Sequence, residues 1–372
     1  MRLAYAATSR IPGRAANAMQ VMKMGEALLR HDPEILMVTG RGEGEAGEAE
    51  LARLYGLARV PRLVRHAVEG RLGPHLFGAG AAFAARRGAD LLLTRSLPAA
   101  AWAATLGVPT IYECHAPPQG AERLYWRRLL RSSRCRRLVV ISEALRRILG
   151  ELHPEIAGRD IVVAHDGVDL ARFRDLPDPA TAKRTAGRDP ARPVAGYAGH
   201  LYEGRGVELI LDCARARPDW DFLLVGGTGE DVARWRRTAA SLGNVEFRGF
   251  VPNADLAASL AVCDALLMPY QRRVVVAGGR LDTAQWMSPL KMFEYLAMGR
   301  AILSSDLPVL REVLDESCAV LLPPDDPAAW AAGLGELREA GRQQALAAAA
   351  RRRAAGYDWS ARAARILAGL VP

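Results

Sequence analysis

The chain has 372 residues, half of them hydrophobic, and a formal net charge of +9 at pH 7. This length favours two domains of ordinary size. No apolar run reaches the ~18 residues that a membrane-spanning helix needs, and the N-terminus looks like a first buried strand rather than a secretory signal. The five cysteines are dispersed and form no Cys-x-x-Cys pair. Such cysteines are typical of buried thiols in a cytoplasmic protein, and they predict no zinc site.

The positive charge is concentrated in the first half of the chain. Residues 1–150 contain 23 Lys and Arg against 12 Asp and Glu, a balance of +11, whereas the remaining residues contain 27 against 29, a balance of −2. Nucleic acid, an anionic membrane surface or a phosphorylated substrate would each suit such a surface. An arginine-rich but otherwise ordinary solvated surface is the alternative.

Short runs of Val, Ile and Leu alternate with helical stretches along the first half, which predicts β-α repeats around a parallel sheet. We expect a helix near residues 15–30, a surface loop over 40–50 and basic helical structure over 50–88. Another basic helix is expected over about 120–135. The predicted strands are residues 2–7, 35–39, 90–94, 110–113, 138–142 and 161–164.

A segment rich in proline and charge, residues 172–193, separates this half from a second β-α series. The predicted fold class is therefore α/β, with two doubly wound Rossmann-like domains. Ligands of such sheets bind outside the carboxyl ends of the strands, so we expect the site in a cleft between the domains. The later predicted strands are residues 194–198, 222–225, 245–247, 265–268, 301–304 and 319–321, before an Ala- and Arg-rich helical tail over 328–355.

Residues 288–299 have the pattern of one complete short helix. Ser288 is expected at the N-cap, where its hydroxyl would satisfy a backbone N–H, and Pro289 at the first helical position. Gly299 suits the left-handed residue that ends a helix.

Two charged residues of this helix, Lys291 and Glu294, lie three positions apart and therefore share one side. A helix N-terminus with a lysine beside it suits an anion. The alternative is a plain capped helix with a solvated lysine. The lysine is notable because the chain contains only three lysines (Lys23, Lys183 and Lys291) against 47 arginines.

Three other loops follow predicted strands. Residues 12–14 offer backbone N–H groups to an anion but lack the Gly-x-Gly-x-x-Gly dinucleotide fingerprint. His200 and Arg205 lie in the glycine-rich loop 199–206, where a guanidinium could pair with phosphate oxygens. His115 ends a buried strand, where it either contacts a substrate or bonds the backbone as a structural histidine.

These stretches together resemble the family 4 retaining glycosyltransferases of the GT-B architecture, in a subgroup with a Ser-Pro-x-Lys-x-x-Glu-Tyr motif. The resemblance covers nearly the whole chain, and the order and spacing of the motifs carry it. The motifs are residues 199–206, 163–173, 226–229, 247–252, 261–270, 288–299 and 304–306.

The resemblance implies transfer of a hexose-type sugar from a UDP- or GDP-linked donor, as co-substrate, to an acceptor hydroxyl, with retention and without cofactor or metal. His115, Lys291 and Arg205 are the implied catalytic residues, and Glu294 would hold the ribose hydroxyls. The implied donor-binding residues are Gly13, His200, Arg205, Phe250, Val251, Ser288, Pro289, Leu290, Lys291 and Glu294.

The expected domains are residues 1–178 on the acceptor side and residues 190–357 on the nucleotide-sugar side. The resemblance implies that the final helix, residues 358–372, crosses back onto the first domain. One position departs from the family pattern, because Trp286 stands where the family has a second glutamate beside the sugar. Asp282, in the preceding loop, is a candidate to replace it.

The acceptor is expected to be a glycan or a lipid-linked sugar. Residues 123–137 combine seven arginines with Leu124, Tyr125 and Trp126, a pattern that suits an anionic membrane surface. An ordinary amphipathic helix packed on the sheet is the alternative. The predicted location is therefore cytoplasmic, peripheral on the inner face of the cytoplasmic membrane, with a role in cell-surface polysaccharide or glycolipid synthesis.

Three other functions remain open at this point. A nucleotide-sugar epimerase shares the architecture but needs no acceptor, and Trp286 would suit a non-catalytic descendant that binds nucleotide or glycan. A nucleic-acid partner is supported by charge alone and is not predicted. The Asp219-Trp220-Asp221 triplet precedes a strand, so we interpret it as a surface turn rather than a metal site.

Overall fold

The computed structural model of the protein describes residues 1–275 and 281–370, apart from the side chain of Ala340. Within these residues, strands and helices alternate along the chain. The strands are β1 (Leu3–Ile11), β2 (Leu36–Arg41), β3 (Leu63–His66), β4 (Leu91–Thr94), β5 (Thr110–Cys114), β6 (Cys135–Val140), β7 (Ile161–Val163), β8 (Val194–Ala198), β9 (Asp221–Val225), β10 (Val245–Gly249), β11 (Ala265–Met268), β12 (Ala301–Ser305) and β13 (Val320–Leu322).

The helices alternate with these strands. They are α1 (Ala16–Leu28), α2 (Glu48–Tyr55), α3 (Gly73–Gly88), α4 (Leu97–Thr105), α5 (Glu122–Arg131), α6 (Glu143–Leu152), α7 (Pro179–Thr185), α8 (Val207–Ala216), α9 (Gly229–Thr238), α10 (Asn253–Leu260), α11 (Leu290–Met298), α12 (Pro327–Glu336), α13 (Ala340–Ala354) and α14 (Trp359–Leu367).

The chain forms two compact units. The N-terminal unit combines Met1–Asp166 with Trp359–Pro372, and the C-terminal unit is Gly167–Asp358. The division lies before the proline-rich segment, not within it, because that segment folds into the C-terminal unit. Within it, Lys183 of α7 lies 2.5 Å from the carboxylate of Asp264.

The N-terminal unit is built on a parallel sheet with the order β3-β2-β1-β4-β5-β6-β7. Its central strands consist mainly of apolar residues, as is typical of a parallel sheet that helices cover on both faces. One part of the core joins Ala6, Val38, Phe77 and Leu92. The last helix, α14, packs against α1 and so brings the end of the chain back to this unit.

Strand β3 is a feature that the sequence interpretation missed, because residues 50–88 were expected to be helical. It is an edge strand, and all four of its residues are half-buried. Its Leu-Val-Arg-His sequence therefore lacks the continuous apolar run that marks the inner strands. Pairing with β2, from Met37↔Leu63 to Gly40↔His66, fixes it in the sheet.

The C-terminal unit contains a second parallel sheet with the order β10-β9-β8-β11-β12-β13. Its large core packs Trp220, Phe222, Trp330 and their neighbours around the sheet. The predicted fold class, α/β with two doubly wound Rossmann-like domains, is confirmed. Because β8 lies between β9 and β11, the loops that follow these three parallel strands lie side by side at the carboxyl ends of the strands.

Candidate functional site

The loop after β8 forms the centre of the candidate site. Gly199 has a φ of 145°, and an added Cβ would lie 2.7 Å from the Nζ of Lys291. A side chain at this position would press on the flexible end of Lys291, and the positive φ is itself a backbone conformation that favours glycine. The next strand joins the loop at the same place, because the N–H of Gly199 donates to the carbonyl of Val225 over 2.9 Å.

Buried hydrogen bonds hold this loop in position. The hydroxyl of Tyr197 donates to the carbonyl of His200 over 2.6 Å, and the indole N–H of Trp235 donates to the carbonyl of Leu201 over 2.7 Å. At the end of β8, the N–H of Ala198 donates to the hydroxyl of Tyr295 on α11 over 2.7 Å. Strand, loop and helix are thus joined before any ligand binds.

Two cations lie on aromatic rings beside this loop. The Nζ of Lys291 lies 3.8 Å from the ring centre of Tyr197 and 5.1 Å from that of Tyr270. The guanidinium of Arg205 lies 5.1 Å from the ring centre of Tyr202 and 5.3 Å from that of Tyr270. Lys291 therefore lies against the rings, half-buried, rather than extending into solvent as a plain surface lysine would.

The charge of this pair is not neutralised by an ion pair within residues 1–275 and 281–370, and in the same residues the buried Nε of Arg205 has no hydrogen-bond partner. Burial and the charge of Arg205 lower the pKa of Lys291 well below its ordinary value, although Glu294 opposes this shift. Two neighbouring cations that repel each other in a poorly solvated place would be stabilised by an anion.

His200 is the third basic side chain of the cluster. Its ring stacks on Tyr202 with a centre-to-centre distance of 4.9 Å. Burial and the charges of Arg205 and Lys291 lower its pKa to about 4. His200 is therefore neutral at pH 7 in the absence of a ligand, and a bound anion would favour its protonation.

Glu294, one turn after Lys291, is oriented by two residues that the sequence analysis did not identify. The amide of Asn253 donates to Oε1 of Glu294 over 2.9 Å. Arg172 in turn donates to both the side-chain and the backbone oxygen of Asn253. The signal was present, because Asn253 directly follows the 247–252 motif and Arg172 lies within the 163–173 motif.

Helix α11 begins later than predicted. Pro289 is the N-cap, with extended backbone angles, and Leu290 is the first helical residue. The N-cap role of Ser288 and the first-position role of Pro289 are therefore wrong, because the chain is still extended at Pro289. The predicted end is confirmed, since Gly299 has a left-handed φ of 59°.

Phe250 and Val251 follow strand β10, which pairs with β9 at the edge of the sheet. The N–H of Gly226 donates to the carbonyl of Gly249 over 2.7 Å, which brings the loops after β9 and β10 together. Phe250 is 36% exposed. An aromatic ring at this position is of a kind against which a flat ligand group could stack.

The loop before α11 gives Asp282 a structural role. Its Oδ1 accepts from the N–H groups of Val274 and Ala284 over 2.9 and 3.0 Å. This carboxylate oxygen therefore closes a turn. Trp286, at the position where the sequence departs from the family pattern, is almost fully buried.

Two predicted site residues belong to the N-terminal unit. Gly13 and Tyr55 form a reciprocal pair, in which the N–H of Gly13 donates to the tyrosine hydroxyl over 2.8 Å and that hydroxyl donates to the glycine carbonyl over 3.0 Å. The N–H that was expected to meet an anion is therefore already hydrogen-bonded. His115 lies directly after β5, with its Nε2 2.7 Å from Oε1 of Glu113.

The basic helix of the N-terminal unit is shorter than predicted. Helix α5 ends at Arg131, and β6 begins at Cys135, because the Cys-Arg-Arg-Leu-Val-Val run pairs with β5. Arg137 lies in that strand and pairs with Asp160 over 2.7 Å. On α5 itself Leu124 is 70% exposed. No helix in the described part of the chain is long and apolar enough to cross a membrane.

The Asp219 and Asp221 carboxylates are both paired with arginines. Asp219 lies 2.7 Å from Arg217, and Asp221 lies 2.6 Å from Arg192. The hydrogen bond from Arg217 lowers the pKa of Asp219. In the described ranges, no group of three or more His, Cys, Asp and Glu side chains has the arrangement of a metal site.

Two family models match this chain. The model described as Glycosyltransferase Family 4 matches residues 18–172, and the model described as Glycosyl transferases group 1 matches residues 192–340. The chain is also 29% identical over 220 residues to a phosphatidyl-myo-inositol mannosyltransferase of Mycolicibacterium smegmatis. That match covers 57% of this chain and 52% of the relative, so the chain spans about half the length of that protein.

Solved structures match over the full length. Anabaena Alr3699/HepE in complex with UDP superimposes with a TM-score of 0.75 at 16% identity, covering 100% of this chain and 99% of that one. Another structure of the same protein contains UDP-glucose. WaaG, a glycosyltransferase involved in lipopolysaccharide biosynthesis, superimposes with a TM-score of 0.70 at 14% identity, covering 99% and 100%. At these identities the likeness establishes the fold alone.

The charge cluster predicts that anion binding takes up protons. A bound anion would raise the pKa of His200 from about 4, and it would raise that of Lys291 from its lowered value. Affinity for sulfate, which stays fully ionised over this range, should therefore increase as the pH falls towards 4, and it should decrease as the pH rises through the bound-state pKa values. Each proton taken up corresponds to roughly a tenfold change in affinity per pH unit.

Isothermal titration of sulfate at pH 7, in two buffers of different ionisation enthalpy, measures this uptake directly. His200→Gln should reduce the number of protons taken up, and the weaker binding that remains should depend on Arg205 and Lys291. Identical heats in both buffers for the wild-type protein would contradict the assignment of these groups as the anion site.

Proposed function

We propose that this chain, whose two parts match glycosyltransferase family models, is a retaining glycosyltransferase that moves a hexose-type sugar from a nucleoside-diphosphate sugar to an acceptor hydroxyl. The observation that carries the proposal is the pair of cations, Arg205 and Lys291, held against tyrosine rings without an ion-paired carboxylate in the described residues. A diphosphate would supply the negative charge that balances these two cations. The complexes of Anabaena Alr3699/HepE with UDP and UDP-glucose support a donor of this class.

Each part of the donor has a proposed partner in the C-terminal unit. The diphosphate would lie at Arg205, Lys291 and His200, and the ribose hydroxyls at Glu294. Phe250 and Val251 would contact the base, and the segment Ser288, Pro289 and Leu290 would lie against the diphosphate or the sugar. The contributions of Gly13 and His115, from the N-terminal unit, remain predictions.

The proposed reaction breaks the bond between the anomeric carbon and the diphosphate oxygen and forms one from that carbon to the acceptor oxygen. Negative charge develops on the departing diphosphate, where Arg205, Lys291 and protonated His200 would stabilise it. The acceptor's proton passes to the departing phosphate, and the new bond forms on the face that the leaving group vacates, so the configuration is retained. We propose that these side chains provide this stabilisation without a metal ion.

The experiment that tests the proposal is a thermal-shift screen of nucleoside diphosphates and their sugars on the full chain. At least one compound should stabilise the protein, and Arg205→Ala and Glu294→Ala should each weaken its binding about tenfold to a hundredfold, because each removes a charge-assisted hydrogen bond. Arg215→Ala and Glu208→Ala, on the exposed side of α8, are matched controls. Stabilisation that survives in both site variants would refute the site.

Product analysis separates the proposed activity from two other functions. Transfer releases nucleoside diphosphate only with an acceptor present, and added chelator should leave the rate unchanged. Conversion of the donor sugar alone, with the nucleotide still attached, would indicate an epimerase. Nucleotide binding with no turnover of any donor and acceptor would indicate a binding protein, which is the function that Trp286 would suit.

The Asn253 contact predicts which part of the nucleotide depends on Glu294. Asn253→Leu keeps the size of the side chain but removes the amide that holds the carboxylate, so affinity for the ribonucleoside diphosphate should fall about tenfold. Affinity for the 2′-deoxy form should fall less, because it lacks one of the ribose hydroxyls that Glu294 would bind. Calorimetry of both forms measures the difference.

Arg172→Met should have the same selective effect, and Arg174→Met, two positions along and exposed, is its control. An equal loss for the ribo and deoxy forms would show that Asn253 acts elsewhere.

The acceptor side is proposed to act at an anionic membrane surface, in polysaccharide or glycolipid synthesis at the cytoplasmic face. Helix α5 supports this proposal, because exposed Leu124 is flanked by exposed Arg123, Arg127 and Arg131, whereas Trp126 packs inward. The names of the mannosyltransferase and of the lipopolysaccharide enzyme support an acceptor of this kind.

Co-sedimentation with vesicles tests the membrane proposal. The protein should bind phosphatidylglycerol vesicles more tightly than phosphatidylcholine vesicles, with a strong dependence on salt, and the double variant Leu124→Ser, Arg127→Gln should reduce that binding. Arg237→Gln on α9 makes the same single change of charge in the other unit. Equal binding to both vesicle types, or binding to neither, would exclude the docking surface.

A further inference from the structure

A buried carboxylate in the N-terminal unit collects three hydrogen bonds on one oxygen. Oε1 of Glu113, at the end of β5, accepts from Nε2 of Gln20 over 2.8 Å, from Nη2 of Arg362 over 2.9 Å and from Nε2 of His115 over 2.7 Å. The side chain of Glu113 is 0% exposed, that of Arg362 is 3% exposed, and that of His115 is 23% exposed. His115 is therefore the one member of this set that reaches solvent to a useful extent.

The partners of Glu113 keep it ionised. Burial alone would raise its pKa, but the charge of Arg362 and the hydrogen bond from His115 outweigh burial and lower it well below the usual range. An ionised carboxylate only accepts hydrogen bonds. The nitrogen of His115 that faces Glu113 must therefore carry a proton, which places the hydrogen on Nε2.

The other members of the network have fixed orientations. The side-chain oxygen of Gln20 accepts from Nη1 of Arg95 over 2.6 Å, so its amide nitrogen must face Glu113. Arg362 is held by the carbonyl groups of His165 and Ala164, at 2.8 and 3.1 Å, at the end of β7. Its Nη2 also lies 4.0 Å from Oδ1 of Asp166, a second buried carboxylate. Helix α14 thus carries the guanidinium of Arg362, and these hydrogen bonds hold it in place.

His115 is neutral in this environment. Burial and the charge of Arg95 lower its pKa to about 4, against the opposing effect of Glu113. A neutral imidazole with its hydrogen on Nε2 carries a lone pair on Nδ1, and Nδ1 can then only accept. A phosphate or carboxylate oxygen has no proton to offer to such a nitrogen, whereas a hydroxyl does.

We propose that Arg362, Glu113 and Gln20 are positioning residues that fix His115 as the Nε2–H tautomer, so that its Nδ1 accepts a hydrogen bond from a substrate hydroxyl. The group recognised at the end of β5 is then a neutral, hydroxyl-bearing part of the sugar and not an anionic one. This assignment rests on the proposed function for the identity of the substrate. The tautomer of His115 and its dependence on helix α14 do not rest on the proposed function.

Long-range proton–nitrogen NMR correlation of the imidazoles in the ¹⁵N-labelled full chain tests the proposal without any ligand. The spectrum of His115, assigned by its loss in His115→Asn, should show a protonated Nε2 and an unprotonated Nδ1 from pH 6 to 8. Arg362→Met should convert it to a tautomer mixture, and Arg362→Lys, which keeps the charge, should restore most of the wild-type pattern. Arg365→Met, on the exposed side of α14, is the matched control.

A wild-type spectrum with the hydrogen on Nδ1, or with both nitrogens protonated at pH 7, would overturn the proposal whether or not the variants fold. An unchanged tautomer in a folded Arg362→Met protein would also overturn it. In the transfer assay Arg362→Met should lower kcat about tenfold to a hundredfold and leave nucleoside diphosphate affinity unchanged. If no nucleotide binds while the tautomer is as stated, the proposed function fails and the positioning network stands.

Discussion

The candidate donor site depends on one electrostatic arrangement, two cations held close together by tyrosine rings. Arg205 and Lys291 repel each other, and the rings of Tyr197, Tyr202 and Tyr270 compensate only part of the cost of removing them from water. The fold maintains the arrangement through uncharged contacts, the tyrosine hydrogen bonds and the close approach at Gly199. An anion can then complete a site that is already assembled, so little ordering free energy is spent on binding.

The Glu113 cluster of the N-terminal unit and the Arg205–Lys291 cluster of the C-terminal unit balance buried charge in opposite ways. In the N-terminal unit Glu113 and Arg362 neutralise each other, and every donor around the carboxylate has a defined partner. In the C-terminal unit the described contacts leave the positive charge of the cluster without an ion-paired carboxylate. The first arrangement fixes the proton positions of a neighbouring side chain, and the second prepares for a ligand of opposite charge. Burial raises the energetic cost of a charge in both clusters. In the Glu113 cluster the buried charges orient a neighbouring side chain, and in the Arg205–Lys291 cluster they favour binding of an anion.

The sequence predicted the features that follow from local chemistry. The apolar runs of the inner strands, the left-handed end of α11 at Gly299 and the loop after β8 are all determined by a few adjacent residues. The features that depend on distant partners were missed. Strand β3 exists because β2 lies beside it, and the basic helix stops at Arg131 because the next residues pair with β5.

The same reason explains the site residues. Lys291, Arg205 and Glu294 were predicted from motifs, whereas Asn253 and Arg172 became visible only when folding brought them to Glu294. The prediction of Ser288 as the N-cap was wrong because a serine followed by a proline does not determine at which residue the helical backbone angles begin. The roles of these residues in transfer remain predictions.

The scarcity of lysine has a chemical consequence. Lys23 and Lys183 are 5% and 1% exposed, and their amino groups lie against the carbonyl of Gly56 and the carboxylate of Asp264. Lys291 is the remaining lysine, and its lowered pKa gives it more of the unprotonated, nucleophilic amine at neutral pH. An amine-directed acylating reagent would therefore meet a surface made basic almost entirely by unreactive guanidinium groups. Apart from the N-terminal amine, the accessible amine of this protein lies in its proposed donor site.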